Sequence, residues 1–256
     1  MVNMLRARRL GYAPQLRKPD QEPFFSMNQI HPTAILGVNV VLGSGNVIGP
    51  FVVIAGNTVI GDGNWFGSGV KVGAPPEVRS VIHGPDWLDD DRAPGVVIGD
   101  RNVLREDVQV HGGWQKQTVL NNDVFIMNGS YIAHDCALGD GVTLASGVAL
   151  GGHVDIGPHA NIGLGATVHQ RRVIGSHAMV GMSSVVTRDV PPFVKAFGVP
   201  CRAHGVNVVG MQRAELSNEV IAQVARLVDS PGYPKSLLGI AEVADFVQAY
   251  IVAVAK

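Results

Sequence analysis

An apolar residue stands at every sixth position over most of this 256-residue chain, and the residue after it is often glycine or alanine. These positions form three blocks: Leu36, Leu42, Ile48, Ile54, Ile60, Phe66 and Val72; Ile98, Leu104 and Val110; and Leu120, Ile126, Ile132, Leu138, Leu144, Leu150, Ile156, Ile162, Val168, Ile174, Val180 and Val186. A hexapeptide repeat is the signature of a parallel β-helix, in which each unit forms one short strand and one corner. Three units close a coil of about 18 residues, and hexapeptide helices coil left-handedly. The sequence therefore predicts a mainly β protein, a left-handed parallel β-helix.

Two interruptions and two flanks divide the chain. Residues 74–95 and 111–118 leave the repeat as loops, and loops of a solenoid usually gather on a functional face. The repeat ends at "DVPPF", because two prolines cannot continue a ladder of strands. Helical periodicity follows, with an N-cap at Ser217. We predict a basic N-terminal extension over residues 1–29, a β-helix domain over 30–196 and a C-terminal α-helical subdomain over 197–256.

Composition excludes several classes of protein. Hydrophobic residues make up 46% of the chain, charged residues 16%, and the net charge is −1, so nothing indicates disorder or nucleic-acid binding. Cys136 and Cys201 have neither metal-ligand spacing nor the pattern of a disulfide scaffold. The chain has no apolar run of transmembrane length, and its basic N-terminus lacks the apolar core of a signal peptide. We expect a cytoplasmic protein without stable membrane insertion.

One corner of the predicted helix concentrates groups that can do chemistry. Positions 18 apart stack on successive coils, so Gly152 is expected above His134, and His153 above Asp135, with His169 at the same corner one coil further. An imidazole can accept the proton of a hydroxyl or amine nucleophile, and Asp135 can orient it. The N–H of Gly152 can donate to a developing oxyanion. These parts suit acyl transfer from a thioester; the alternative is that the histidines are solvated turn residues.

The motifs around this corner resemble a known family. "IHPTAI", "IGDRNVLREDVQVH", "IAHDCALGD", "LGGHVDIG", "VHQ" and "DVPPF…GVN" occur in this order over about residues 30 to 230. Together they resemble the acyl-carrier-protein-dependent UDP-N-acetylglucosamine O-acyltransferases, which open lipid A synthesis. The resemblance implies a cytoplasmic homotrimer with active sites between subunits, an acyl carrier protein as donor, and no metal or cofactor. It also implies His134 as the general base and Gly152 as the oxyanion donor.

The resemblance further implies a set of substrate-binding residues: His153, His169, Gln170, Asn207, Arg213, Met182 and Tyr131. Met182 falls where the family measures acyl-chain length. Six basic residues and one acid between 166 and 213 favour an acidic carrier protein, with Arg171 and Arg172 as the main contacts.

The acceptor-binding residues depart from the family pattern. Tyr131 stands where histidine is frequent, Val78 replaces an aspartate, Val209 replaces a glutamate, and Ala214 follows Arg213 in place of a second arginine. The acceptor is therefore expected to be UDP-N-acetylglucosamine or a related nucleotide sugar.

Three other functions remain compatible with this fold. A coenzyme A-dependent sugar N-acetyltransferase would use the same helix and a similar base. A hexapeptide-type zinc carbonic anhydrase would need three histidine ligands and an open fourth position. A solenoid scaffold would have no catalytic activity.

Overall fold

The computed structural model describes residues 26–255 except 82, 91, 229 and 231, and most of the predicted N-terminal extension, residues 1–25, lies outside them. Short strands follow one another along most of this part of the chain. In chain order they are β1 (Gln29–Ile30), β2 (Ile35–Leu36), β3 (Val41–Leu42), β4 (Val47–Ile48), β5 (Val53–Ile54), β6 (Thr58–Ile60), β7 (Trp65–Phe66), β8 (Lys71–Ala74), β9 (Val96–Ile98), β10 (Val103–Leu104), β11 (Gln109–His111), β12 (Thr118–Leu120), β13 (Phe125–Ile126), β14 (Tyr131–Ile132), β15 (Ala137–Leu138), β16 (Thr143–Leu144), β17 (Ala149–Leu150), β18 (Asp155–Ile156), β19 (Asn161–Ile162), β20 (Thr167–Val168), β21 (Val173–Ile174), β22 (Met179–Val180), β23 (Val185–Val186), β24 (Val194–Phe197) and β25 (Arg202–Val206).

Up to β23, every third strand belongs to the same parallel sheet, so the chain winds around three sheets of ten, eight and seven strands. The pairing register equals the predicted coil length: Ile132 of β14 pairs with Leu150 of β17, which pairs with Val168 of β20. The register also continues across the first loop, where Ile60 pairs with Ile98. The prediction of a parallel β-helix is confirmed.

The repeated apolar residues form one continuous core. Ile54, Leu104 and Ile132 are fully buried, whereas Leu36 and Leu42 of the first coil are only partly covered. Burial of each such side chain stabilises the fold by about 1.5–3 kcal/mol relative to exposure. Because the anchors of neighbouring coils pack on one another, 18 positions apart where no loop intervenes, the core fixes the register that aligns the corners.

Both predicted loops leave the helix where expected. The first runs from the end of β8 at Ala74 to the start of β9, and the second from the end of β11 to the start of β12. The loops lie side by side, because β8 and β11 are neighbours in one sheet. The N–H groups of Gly113 and Thr118, in and after the second loop, both donate to the carbonyl of Gly95, at the end of the first.

The C-terminal region adds two strands and then helices. Strand β24 continues one sheet beyond the two prolines, and β25 pairs with it antiparallel, so β structure extends past residue 196. The helices are α1 (Val208–Arg213), α2 (Asn218–Leu227), a 3-10 helix (Lys235–Gly239) and α3 (Ala241–Val254). The predicted N-cap is confirmed, since Ser217 Oγ accepts from the Val220 N–H at 3.2 Å. Among the described helices, none has both the length and the apolar character needed to cross a bilayer.

A stack of rings joins the helical part to the β-helix. His177, at a buried corner, stacks on His159 and on Phe193, with ring centroids 4.9 and 5.6 Å away, and Phe246 of α3 packs edge-on at 5.0 Å. Burial, and secondarily the nearby His159, lowers the pKa of His177 to about 4. The imidazole of His177 is therefore neutral in the folded protein at pH 7.

Candidate active site

The register of β14 and β17 brings the predicted catalytic residues together at one corner. His134 and Asp135 follow β14, Gly152 and His153 follow β17, and the His153 N–H donates to the His134 carbonyl at 3.0 Å. Asp135 and His153 both adopt the left-handed backbone conformation, with φ near +60°. Asp and His enter this region more readily than bulky or β-branched residues, so they suit the tight corner.

The imidazole of His134 occupies the space that a side chain at residue 152 would need. A Cβ built on Gly152 would lie 2.6 Å from His134 Cε1 and 2.8 Å from Nε2, well inside van der Waals contact. Among the described residues, no acceptor is hydrogen-bonded to the Gly152 N–H. Glycine at this position therefore lets the ring lie directly against a backbone amide.

Asp135 orients His134 from a fully buried position. Its Oδ2 lies 2.6 Å from His134 Nδ1, the distance of a charge-assisted hydrogen bond. Burial alone would raise the pKa of Asp135, but hydrogen bonds from the Lys116 N–H, the His134 ring and the Gln115 N–H outweigh it and keep that pKa below its usual range. Because Asp135 is an anion and can only accept, His134 Nδ1 carries the proton and Nε2 can act as a base.

The second loop holds Asp135 in place, a role that the sequence analysis missed. The backbone N–H groups of Trp114, Gln115 and Lys116 all donate to Asp135 Oδ1, at 3.2, 2.8 and 2.6 Å. The Asp135 N–H in turn donates to Thr118 Oγ1 at 2.9 Å. The 18-residue register does place residue 117 beneath Asp135, but spacing alone carries no information about the fold of the loop.

Trp114 is the second residue that the sequence analysis missed. Its indole packs edge-to-face on His134, at 5.9 Å between centroids, and on His153, at 6.3 Å. The two imidazoles are themselves edge-to-face at 5.3 Å. The site is thus a cluster of three mutually packed rings above one buried carboxylate.

His153 presents a buried nitrogen to the same cluster. Its Nε2 makes no hydrogen bond within the described part of the chain and lies 3.5 Å from Asp135 Oδ2. Burial, together with Arg171 and His134, lowers the pKa of His153, although Asp135 opposes the shift. A neutral imidazole here can donate to or accept from a bound polar group.

Within the described part of the chain, His134, Asp135 and His153 form a group that could hold a cation, since their ligand atoms all lie within 4.8 Å of one another. However, the 2.6 Å contact between His134 and Asp135 holds a proton, and Asp135 Oδ1 already accepts three N–H groups. A metal would have to displace that proton. The zinc alternative required three histidines, and this cluster has two histidines and one carboxylate.

The outer predicted residues lie around this cluster at greater exposure. His169 is at the same corner one coil further, is exposed, and contacts the carbonyl of Gln170 rather than the other imidazoles. Arg171 is exposed and its N–H donates to the Gly152 carbonyl at 2.9 Å. Arg172 pairs with Asp189 at 3.4 Å, which partly occupies its guanidinium.

Tyr131 joins the first loop to the corner. Its hydroxyl donates to the carboxylate of Glu77, and its ring lies 5.2 Å from that of His111. Burial, followed by the bond to Glu77, raises the pKa of Tyr131. Glu77 was not identified from the sequence, yet it adjoins Val78, the position where the expected aspartate is missing.

Asn207 and Arg213 lie at the two ends of α1. The Asn207 amide donates to the His177 carbonyl at 2.9 Å and accepts from the Gly210 N–H at 3.1 Å, so it caps the helix and ties it to the β-helix. Arg213 is exposed in the last turn. Within the described residues, no hydrogen bond or ring contact joins either of them to the His134 cluster.

Met182 lies at a different corner, after β22 of the ten-stranded sheet. Its side chain is 70% exposed, and Leu164, 18 residues earlier on the same corner, is 49% exposed. The two residues form a short apolar strip on the outside of the helix.

Comparison with known proteins gives a consistent result. A family model described as "Udp N-acetylglucosamine O-acyltransferase; Domain 2" matches residues 189–230, and a bacterial transferase hexapeptide model matches residues 117–152. An acyl-[acyl-carrier-protein]–UDP-N-acetylglucosamine O-acyltransferase of Aliivibrio fischeri is 35% identical over 137 residues, which are 52% of this chain and 52% of that protein. The chain thus spans about half the length of the curated relatives it matches.

Two solved structures align over most of the chain. A UDP-N-acetylglucosamine O-acyltransferase from Moraxella catarrhalis is 30% identical, with a TM-score of 0.67, over 89% of this chain and 92% of that one. A UDP-N-acetylglucosamine acyltransferase from Campylobacter jejuni is 26% identical, with a TM-score of 0.71, over 86% and 93%. Both similarities therefore extend over most of this chain and most of the solved one.

Proposed function

The chain belongs to the UDP-N-acetylglucosamine O-acyltransferase family, and from this premise we propose that it moves an acyl group from acyl carrier protein to the 3-position of UDP-N-acetylglucosamine or a related nucleotide sugar. The observation that carries the proposal is the His134 imidazole, fixed by a buried anionic Asp135 and lying against the amide of Gly152. A base, its orienting acid and an oxyanion donor are the parts that acyl transfer requires.

In the proposed reaction, His134 Nε2 takes the proton of the sugar 3-hydroxyl while the hydroxyl oxygen attacks the carbonyl carbon of the thioester. The Nδ1–H of the resulting imidazolium stays hydrogen-bonded to Asp135, which stabilises the added charge. The Gly152 N–H donates to the oxyanion of the tetrahedral intermediate. Collapse of the intermediate breaks the carbon–sulfur bond, and the departing thiolate receives the proton from His134. An acceptor with a 3-amine would react in the same way.

The acceptor binds, in this proposal, between the two loops and the corner. His153 supports this assignment, because its buried Nε2 lacks a hydrogen-bonding partner among the described residues. Tyr131 and Glu77 supply a hydroxyl and a carboxylate near the position where the family pattern has a histidine and an aspartate. The carboxylate comes from the residue before Val78, and the acceptor we propose is UDP-N-acetylglucosamine or a related nucleotide sugar.

The acyl chain and the carrier are assigned to exposed residues further out. We propose that the apolar strip of Leu164 and Met182 contacts the acyl chain, with Met182 limiting its length. Arg171, exposed and bonded to Gly152 through its backbone, is better placed than the ion-paired Arg172 to meet an acidic carrier.

Homotrimer formation remains part of the proposal. In a trimer with sites between subunits, Arg213 of one subunit can reach the nucleotide at another subunit's corner, and His169 and Gln170 can line the donor side. Asn207 caps the start of α1 and so helps to position Arg213, which lies in the last turn of the same helix. Sedimentation should give three times the chain mass of 27.0 kDa.

Single-turnover acyl transfer tests the proposal. Carrier-protein thioesters of several lengths and acetyl-coenzyme A are each offered with UDP-N-acetylglucosamine and its 3-amino analogue. His134→Ala should slow transfer from the carrier thioester about 10²- to 10⁴-fold, the range for loss of a general base. His31→Ala, which removes an exposed histidine of the first coil, is the matched control.

The panel also separates the alternatives. Transfer from acetyl-coenzyme A alone would indicate the N-acetyltransferase. Absence of transfer from every thioester would favour the solenoid scaffold without catalytic activity. Undiminished transfer by His134→Ala would remove this histidine from the mechanism.

A further inference from the structure

Residues 112–117 form a closed loop around one oxygen of Asp135. Three successive N–H groups converge on Oδ1, and a Cβ at Gly113 would lie 1.8 Å from the Lys116 carbonyl oxygen, so the loop folds back on itself where only glycine fits. Lys116 Nζ adds a contact to Asp155 at 3.3 Å. The backbone of Trp114 is therefore held at a fixed position relative to the carboxylate.

The hydrogen bond to Asp135 does not by itself fix the plane of the His134 ring. A single contact at Nδ1 leaves the imidazole able to rock about the line through that contact, which would move Nε2. Gly152 limits this motion on one side, because the ring lies so close to it that a Cβ added at residue 152 would be 2.6 Å from Cε1 and 2.8 Å from Nε2. The indole of Trp114 packs on the same imidazole, and also on His153.

Trp114 is also the apolar cover of this cluster. As a residue Trp114 is 37% exposed, whereas Asp135 is fully buried and the side chain of His134 is 14% exposed. Excluding water strengthens the hydrogen bond between the carboxylate and the imidazole, because the local dielectric constant falls.

We propose that Trp114 is a positioning residue for the general base: its indole, with Gly152, holds the His134 ring so that Nε2 faces the acceptor, and it keeps water from the hydrogen bond to Asp135. This inference rests on the proposed function. Trp114 acts through His134 and is not assigned any contact with substrate.

Kinetics with three variants test this role. Trp114→Ala should lower the single-turnover rate about 10- to 100-fold, since a misplacement of about 1 Å costs up to this much, while KM for both substrates stays within about twofold. Trp114→Phe keeps an edge-to-face ring and should retain most of the rate. Trp87→Ala is the matched control, because Trp87 is 38% exposed and lies in the other loop.

A spectroscopic readout makes the test independent of catalysis. Long-range 15N–1H correlation of the His134 side chain, assigned by its absence in His134→Ala, should show one tautomer with the proton on Nδ1 in the wild type and in Trp114→Phe. Trp114→Ala should keep this tautomer, which Asp135 sets, but its Nδ1 proton should exchange with water faster, because the indole no longer covers the hydrogen bond to Asp135. If Trp114→Ala fails to fold by circular dichroism, Trp114→Leu fills most of the volume without a ring and should give the same loss of rate.

The outcomes separate the two proposals. A wild type that transfers no acyl group ends the proposed function, and the exchange of the His134 Nδ1 proton with water still tests Trp114. A Trp114→Ala or Trp114→Leu enzyme with the wild-type rate and the wild-type proton exchange would overturn the positioning role. A large rise in KM at unchanged kcat would also overturn it, since Trp114 would then be a substrate contact.

Discussion

Replacing Gly152 by alanine tests the geometry on which the proposed site depends. The backbone of Gly152 is outside the left-handed region, so alanine fits the chain conformation and only its methyl group is new. That methyl would meet His134 Cε1 at 2.6 Å and Nε2 at 2.8 Å. Ordinary carbon contacts are about 3.5–4.0 Å, so the imidazole must move by about 1 Å.

The expected loss follows from this displacement. The ring cannot move away freely, because Asp135 holds Nδ1 and Trp114 packs on the ring. A shift of about 1 Å in a catalytic group costs about 10²-fold in rate, or about 2.7 kcal/mol of transition-state stabilisation. Because residue 152 is buried and the ring is held on two sides, we expect the added methyl group also to lower the free energy of unfolding by about 1–3 kcal/mol.

Single-turnover acyl transfer and urea unfolding measure these two quantities on the same variant. Gly239→Ala is the control, since a Cβ at Gly239 has no heavy atom within 4 Å. If Gly152→Ala folds normally and transfers acyl groups at the wild-type rate, the contact between residue 152 and the imidazole has no catalytic consequence. The assignment of His134 as the base in this geometry would then fail, whereas the backbone N–H of residue 152, which alanine retains, is not tested by this variant.

Three further predictions follow from the same structure. Asp135→Asn should reduce single-turnover transfer at least about 10²-fold and destabilise the fold by about 1–3 kcal/mol, because the new NH2 must face either the three loop N–H groups or the imidazole N–H; a small change in both would contradict the orienting role. Met182→Gly should shift a competition among carrier thioesters toward longer acyl chains, by about fourfold per extra methylene, and an unchanged preference would separate Met182 from the chain. His177 has a pKa of about 4 when folded against an ordinary 6.5, so the unfolded chain binds the proton first as pH falls. Stability should therefore drop by about 3 kcal/mol between pH 6.5 and 4 in urea unfolding, and His177→Phe should lose this part of the pH dependence.

The regular part of the molecule was predictable because its repeat is strict. One six-residue period specifies the strand, the corner and the inward-facing side chain together, and a parallel register of 18 then follows for neighbouring coils that no loop separates. For this reason the contact between His134 and Gly152, although they are 18 residues apart, could be predicted, as could the loops that interrupt the phase. Strands β24 and β25 pair without following the period, so the repeat does not indicate them.

The irregular segments were not predictable in the same way. Trp114 and Glu77 lie in loops whose conformation depends on contacts with distant residues. Three backbone N–H groups of the second loop donate to Asp135, and the Glu77 carboxylate of the first loop accepts from the Tyr131 hydroxyl. The resemblance predicts Asn207 as a nucleotide contact. In the structure its side-chain NH2 donates to the His177 carbonyl, and its side-chain oxygen accepts from the Gly210 N–H. Such assignments depend on local hydrogen-bonding geometry, which a motif does not specify.

The sequence alone determined the winding of this chain and the corner at which its ionisable residues meet, because periodic burial of apolar side chains admits one register and a slip would expose the core. Only the tertiary structure decided how that corner is completed. The anionic Asp135, its three backbone donors and the indole above the imidazoles depend on a closed loop, and the conformation of such a loop is set by contacts that no sequence period encodes.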